Sequence, residues 1–320
     1  MSGQRSLAHP RSDGSNPTPR QRVVILGATG MLGHTLLRQL VAAPELDVFG
    51  CARNAEAVRA SFPEPLAQRV TCGVDLTDDN ALRRVLTALA PDVVVNCVGV
   101  IKQRPEATDP VTTIAVNALF PHRLAQQCVA LNARLIQVST DCVFSGRRGG
   151  YDEQDEPDAY DLYGRTKLLG ETTRDGALTL RTSIVGHEMS GARSLVDWFL
   201  NQRGTVNGFT GAIYSGLTTT EFAAMLRAVV LPRADLSGLY HVAAAPITKY
   251  HLLRILAEEY GWPGHIAPSD EFGCDRSLSA ASFRAATGYQ PPAWPTMVRQ
   301  LHQAALAWGH PLAATAAMRP

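Results

Sequence analysis

Lysine is scarce in this 320-residue chain: Lys102, Lys167 and Lys249 are the three, and the other cationic side chains are arginines. A lysine is therefore not the default choice for a solvated helix face here. Excess charge of either sign is missing too, with a formal net charge of +1. Nothing advertises a nucleic-acid surface or an anionic membrane as partner. No apolar run approaches the ~20 residues that a membrane helix needs. The six cysteines, at 51, 72, 97, 128, 142 and 274, form no C-x-x-C pair and no Cys/His cluster. Three lie in apolar strand-like runs, so buried free thiols in a reducing compartment are expected, without disulfides or a metal centre. Internal repeats and long low-complexity segments are absent as well. Residues 1–20 carry Arg, Ser, Pro and Gly but no apolar segment, which argues against a secretory signal and for a flexible tail. A cytoplasmic address is expected.

One of the rare lysines stands in the run Asp161-Leu-Tyr-Gly-Arg-Thr-Lys-Leu-Leu-Gly-Glu171. A helix returns to the same face after about four residues, so Tyr163 and Lys167 would stand side by side. A neighbouring cation favours the phenolate. That makes a phenol, with an unperturbed pKa of ~10, usable as a proton donor near neutral pH. Tyr-x-x-x-Lys also falls by chance in amphipathic helices, and the scarcity of lysine is what gives it weight.

Near the start of the chain, Val23-Val-Ile-Leu26 reads as a short buried strand. Gly27-Ala-Thr-Gly-Met-Leu-Gly33 follows at once, and 34–41 has helical apolar spacing. Strand, glycine turn and helix in this order are the context of a dinucleotide site. Gly27 permits the tight turn, Gly30 lets the backbone approach a pyrophosphate, and Gly33 lets the helix close on the strand. Thr29, Met31 and Leu32 fall within the same turn. The spacing, G-x-x-G-x-x-G, is one residue longer than G-x-G-x-x-G, yet a purely structural turn needs one glycine rather than three in phase. Further strands are expected at 46–51, 69–74, 92–97, 133–139 and 177–181, with helices at 80–90, 118–132 and 163–174. Such alternation predicts an α/β fold: a doubly wound parallel sheet of the Rossmann type with its site at the carboxyl ends of the strands. Beyond Val185 the pattern becomes irregular and rich in Gly, Thr, Pro and aromatics, as in a smaller C-terminal substrate-binding lobe. The expected division is a tail at 1–20 and a dinucleotide domain at 21–184 with a contribution from about 216–244. The substrate lobe takes 185–215 and 245–305, and a C-terminal tail 306–320.

Together these residues resemble the extended short-chain dehydrogenase/reductase superfamily, and within it the dTDP-4-dehydrorhamnose reductase family of sugar-nucleotide reductases, over about 22–301. Besides the glycine turn, the resemblance is carried by Asn96-Cys-Val-Gly99, Val116-Asn117, Ser139-Thr-Asp-Cys-Val-Phe-Ser-Gly146 and Tyr163-Gly-Arg-Thr-Lys167. Leu180-Arg-Thr182 and Gly238-Leu-Tyr-His-Val242 continue it. The Ser-Thr-Asp-x-Val-Phe-x-Gly stretch points most specifically to the reductase branch. The resemblance implies a catalytic trio. Tyr163 would give its proton to the developing alkoxide, Lys167 would lower the Tyr163 pKa and hold the nicotinamide ribose, and Thr140 would fix the carbonyl oxygen. It further implies cofactor contacts at Cys97, Gly99 and Asp75-Leu76, with Asn117 supporting the lysine. Asn117 reads equally as a helix-start asparagine, and Asp75 as an N-cap of the next helix.

An acid at the end of the second strand suits NAD, whereas arginine suits the 2′-phosphate of NADP. The strand exits through Gly50-Cys-Ala-Arg53-Asn54, about twenty residues past the last glycine. Arg53 therefore points to NADP(H) over NAD(H), the alternative being a solvated loop arginine. The reaction implied is NADPH-dependent reduction of a keto group on a nucleotide-linked deoxysugar, in cell-surface polysaccharide precursor synthesis. Substrate contacts are expected from Thr140, Lys102 and Arg276. Arg276 sits where related enzymes place an arginine against the substrate diphosphate, a task that suits its geometry. Its surroundings depart from the Arg-Pro run of the rhamnose reductases, and Lys102 stands where that branch has aromatic and small residues, so the particular sugar and nucleotide stay open. Two other functions fit the same residues. One is an epimerase or dehydratase, in which Asp141 beside Thr140 would be the acid. The other is a non-catalytic relative, such as the regulatory subunit of methionine adenosyltransferase. Apolar stripes on the helices after strands four and five (Leu119, Leu124, Cys128, Leu131; Leu168, Leu169) suggest a homodimer around a two-fold axis.

Overall fold

Every side chain from Val23 to Leu26 is fully buried. Alternate residues of a strand point to opposite faces, and here Val23 and Ile25 join one apolar cluster while Val24 and Leu26 join another. A strand covered on both faces belongs inside a parallel sheet. In the computed structural model, which describes residues 20–314 except 103 and 104, that is where it lies. Strands β1 (Gln21–Leu26), β2 (Leu46–Ala52), β3 (Val70–Cys72), β4 (Val93–Asn96), β5 (Arg134–Thr140), β6 (Leu178–Thr182) and β7 (Gly238–His241) form one sheet. All are parallel, in the order β7-β6-β5-β4-β1-β2-β3. The chain runs outward from β1 to β3, then returns to the other side of β1 as β4. The two halves part at the carboxyl ends of β1 and β4, which opens a crevice there.

Helix α1 (Met31–Leu40) covers one face with Leu32, Leu36, Leu37 and Leu40. Helix α2 (Asp79–Leu89) covers the other with Leu82, Val85 and Leu86. Two helices differ from the sequence-based ranges. The one expected at 118–132 is α3 (Phe120–Ala130), and the wider π-helical turns of Ile114–Leu119 lead into it. The one expected at 163–174 is α4 (Leu162–Leu169), five residues shorter at its end. The cause is a close backbone approach: a Cβ on Gly170 would lie 1.9 Å from the Asn117 carbonyl oxygen. Beyond that contact the chain turns inward and carries Glu171 to Arg181 of β6.

The irregular part of the sequence builds a three-stranded sheet. In it Thr205–Tyr214 lies between Ile247–Thr248, antiparallel, and His265–Asp275, parallel. Helix Lys249–Tyr260 buries Leu252, Leu253, Leu256 and Tyr260. The final helix, Trp294–Ala307, runs into the expected C-terminal tail, and the chain stays packed as far as the description reaches. Ala313 is buried, and its carbonyl oxygen lies 2.8 Å from His302 Nε2. The rest of that tail (315–320) and residues 1–19 of the other lie outside the described residues. Among the described residues no helix is long and apolar enough to cross a membrane.

Candidate active site

At the end of β1 the chain turns through Gly27 at φ +80°, a left-handed conformation that costs glycine no Cβ clash. Gly30 N–H donates to the Gly27 carbonyl at 2.9 Å. Helix α1 then starts at Met31 with no side-chain cap and no acid in its first turn. First-turn N–H groups have no intrahelical partner, and Thr29, Gly30, Met31 and Leu32 line a cleft of about 480 Å³ at the crevice. A Cβ on Gly33 would meet the Gly27 oxygen at 2.1 Å, so this glycine lets the helix close on the turn. An uncapped helix start with its positive dipole end fits a pyrophosphate. The facing wall is the loop after β4, which carries Cys97, Gly99 and Lys102. Asn96 accepts from Val98 N–H at 3.0 Å. Asn117 clamps Val100 from both sides, accepting from its N–H at 2.8 Å and donating to its carbonyl at 3.0 Å. Its remaining contact is with Thr166 Oγ1 at 3.4 Å. Asn117 thus fixes the loop and, among the described residues, approaches Lys167 through its neighbour Thr166.

Thr140, Tyr163 and Lys167 line that same cleft. Asp161 caps α4 by accepting from Gly164 N–H at 2.9 Å. Thr140 Oγ1 accepts from Cys142 N–H and donates to Asp141 Oδ1, each at 3.1 Å. Lys167 Nζ donates to the Val138 carbonyl at 2.8 Å. Burial pushes the Tyr163 phenol above its ordinary range, Cys142 adds to the rise, and the Thr140 hydroxyl works against it. Burial also brings Lys167 down to about 8, against the pull of Glu171 and Cys97. The expected lowering of the Tyr163 pKa by Lys167 is not what this arrangement produces. One N–H of the ammonium goes to a backbone carbonyl, and desolvation dominates both groups.

The cation over the Tyr163 ring is instead Lys102, 5.5 Å from the ring centre and 2.9 Å from Asp161 Oδ2. Asp161 is a partner that sequence reading missed, although Asp three residues before Gly164 is a cap signal. Asp141 and Tyr214 also line the cleft. Burial raises the Asp141 carboxyl, against the charge of Arg276, and pushes Tyr214 up to about 12. Arg276 lines the cleft while its Nε donates to the Phe144 carbonyl at 2.8 Å. Arg53 and Asp75 lie outside this lining, both exposed, just beyond β2 and β3. Asp75 accepts from Thr77 N–H at 2.9 Å and Thr77 Oγ1 at 2.7 Å. Those bonds, with a smaller help from Arg53, keep its carboxyl below the usual range. The N-cap of α2 is Asp78 rather than Asp75, and Leu76 is buried in the core.

Residues 21–305 match the family model of the RmlD substrate binding domain. The chain is 30% identical over 269 residues to methionine adenosyltransferase 2 subunit beta of Danio rerio, covering 79% of each protein. It is 35% identical over 171 residues to dTDP-4-dehydrorhamnose reductase of Mycolicibacterium smegmatis, covering 52% of this chain and 46% of that enzyme. The fold is that of dTDP-4-dehydrorhamnose reductase from Bacillus anthracis in complex with NADP. That comparison has a TM-score of 0.73 and 22% identity, over 89% of this chain and 99% of that one.

Proposed function

The chain belongs to the RmlD substrate binding domain family of extended short-chain dehydrogenase/reductases, and from there we propose that it reduces a keto group on a nucleotide-linked deoxysugar with NADPH. One observation carries this reading: Thr140, Tyr163 and Lys167 share a single cleft with the glycine turn and the uncapped start of α1. The cofactor, when bound, supplies the hydride to the keto carbon. Tyr163 transfers its phenolic proton to the oxygen as that oxygen becomes an alkoxide. At pH 7 the phenol carries its proton, and the alkoxide that forms is the stronger base and takes it. Thr140 orients the oxygen. Lys167, charged below about pH 8, holds the nicotinamide ribose. Asn117, Cys97 and Gly99 shape the loop against the cofactor, and Lys102 and Arg276 take the substrate's anionic groups. We assign the reaction to polysaccharide precursor synthesis in the cytoplasm, with the three-stranded sheet as the substrate lobe.

A second reading, a non-catalytic regulatory subunit, is favoured by the likeness to methionine adenosyltransferase 2 subunit beta over most of the chain. One experiment separates the two. With a 4-keto sugar nucleotide, the reductase consumes NADPH stoichiometrically. Binding without turnover would establish the regulatory reading, and conversion without net NADPH loss would establish an epimerase or dehydratase.

Cofactor choice rests on Arg53. Arg53→Asp is expected to lower the NADP-over-NAD preference in kcat/KM by about tenfold or more, the worth of one charge-assisted contact to the 2′-phosphate. An unchanged preference would remove Arg53 from the site. We also propose a homodimer through α3 and α4, where Val129 and Leu169 are exposed. A light-scattering mass of one chain, 34.5 kDa, from micromolar concentration upward would rule that out.

A further inference from the structure

Phe272 lines the cleft and is 50% exposed, although it is a large apolar residue. It lies on the strand His265–Asp275, where that strand bulges against Thr205–Tyr214. Between the pairs Phe209–Ser269 and Gly211–Gly273 one strand has a single residue, Thr210, and the other has three, Asp270, Glu271 and Phe272. Two bare backbones meet there: a Cβ on Gly211 would lie 3.1 Å from both the Gly273 Cα and the Phe272 carbonyl oxygen. Bulges re-aim side chains, and they recur next to active sites. Alternate residues of a strand share a face, and past the bulge Phe272, Cys274 and Arg276 all line the cleft.

The Phe272 ring is supported rather than covered. Phe209 lies beside it, with 5.5 Å between ring centres. Lys249 Nζ stands over Phe209, 5.2 Å from its centre, and over Trp198 at 4.8 Å. A cation held against two rings helps to fix both, so Phe272 rests on a preformed support with half of its own surface open. Charge divides the row. Asp270 and Glu271, both exposed, flank the Phe272 end and would repel a phosphate. Arg276 stands at the other end, and its charge acts on Asp141, the partner of Thr140. Four strand residues span roughly 13 Å, about the extent of a nucleoside diphosphate from base to outer phosphate.

We propose that Phe272 is the stacking platform for the nucleobase of the sugar nucleotide, with the diphosphate running along the strand toward Arg276 and the sugar beyond it at Thr140 and Tyr163. Stacking suits an exposed ring, because every base has a π-face. A base also covers apolar surface without setting a negative charge against Asp270 and Glu271. The inference rests on the reading of the cleft as a sugar-nucleotide site, but it concerns binding and not the reaction.

The test uses the full chain saturated with NADP, so that the cofactor site is closed to other nucleotides. Calorimetry measures binding of dTDP, UDP and GDP, with inorganic pyrophosphate as the probe that lacks a base. Phe272→Ala is expected to weaken the tightest-binding of the three nucleotides by about tenfold or more, the worth of one base stacked on an aromatic ring. Pyrophosphate affinity should not change. Phe272→Leu keeps apolar bulk without a π-face and should behave like the alanine variant, whereas Phe272→Tyr should restore binding. Because the side chain is half in water, the core stays intact in all three. Nucleotide binding that depends on the Phe272 ring, with no NADPH consumed on a 4-keto sugar nucleotide, would leave this proposal standing and remove the reductase reading. No saturable binding of any of the three nucleotides, undiminished affinity in Phe272→Ala, full affinity in Phe272→Leu or an equal loss for pyrophosphate would overturn the proposal, even where turnover is intact.

Discussion

Tyr163→Phe is expected to lower kcat by about 10²–10⁴-fold, the usual worth of a positioned proton donor, while NADPH affinity stays near that of the wild type. The substitution keeps the ring, and with it the contact to Lys102, 5.5 Å from the ring centre. It removes one hydroxyl from a cleft wall whose other bonds do not depend on it. Thr140 keeps Cys142 and Asp141 as partners, and Lys167 keeps the Val138 carbonyl. Folding and cofactor binding should therefore survive, and the loss should fall on the chemical step. Asp141 is the competing donor, because its burial raises the carboxyl and it lines the same cleft, 3.1 Å from the Thr140 hydroxyl. The variants discriminate: a proton from Tyr163 makes Tyr163→Phe the damaged enzyme and leaves Asp141→Asn active. Wild-type turnover in Tyr163→Phe would falsify the proton-transfer assignment.

What could be read from the sequence follows how local its causes are. Six strands of the central sheet were legible because strands buried on both faces are continuous apolar runs, as in Val93–Asn96. The glycine turn was legible because three glycines in phase meet a strand and a helix. The end of α4 was not, because what stops it is the backbone of Asn117, over fifty residues earlier in the chain. Lys167 and Tyr163 line one cleft, as their spacing on a helix predicts. Their electrostatics are not legible from spacing, which fixes the side of a helix and says nothing of burial or of the carbonyl at Val138. Lys102 is expected from the sequence as a substrate contact, but its bond to Asp161 depends on how a loop folds onto α4. The packed stretch after Ala307 had a signal in Trp308 and His310, residues uncommon in a solvated tail. Arg181 gave a stronger one. An arginine inside the buried run Leu180-Arg-Thr182 requires an anion, and only the fold identifies it as Glu171.

That pair sets the largest expected loss of stability. Glu171 and Arg181 side chains are 10% and 4% exposed. Arg181 Nε and Nη2 donate to the two carboxylate oxygens at 2.9 and 2.8 Å, and Ser139 Oγ donates to one of them at 2.6 Å. Glu171→Gln leaves the guanidinium buried without its counter-charge, and breaking such a pair costs about 3–5 kcal/mol. Urea unfolding should show that loss, and Arg181→Met added to Glu171→Gln should recover part of it, because the stranded charge is then gone. The same change reaches the cleft, since Glu171 is the main influence holding the Lys167 pKa up against burial. The ordinary lysine value is ~10.4, so the folded value of about 8 is depressed. Below pH 8 both folded and unfolded states are protonated, and the cost of the buried ammonium is fully present. Between that pH and the unfolded value the unfolded chain binds more protons, so this group's contribution to stability rises with pH. Activity moves the opposite way: kcat/KM should fall as pH rises through about 8 and the ammonium deprotonates. In Glu171→Gln that fall should begin at lower pH. A variant with wild-type stability and an unmoved basic limb would show that Arg181 and Lys167 both find their compensation elsewhere.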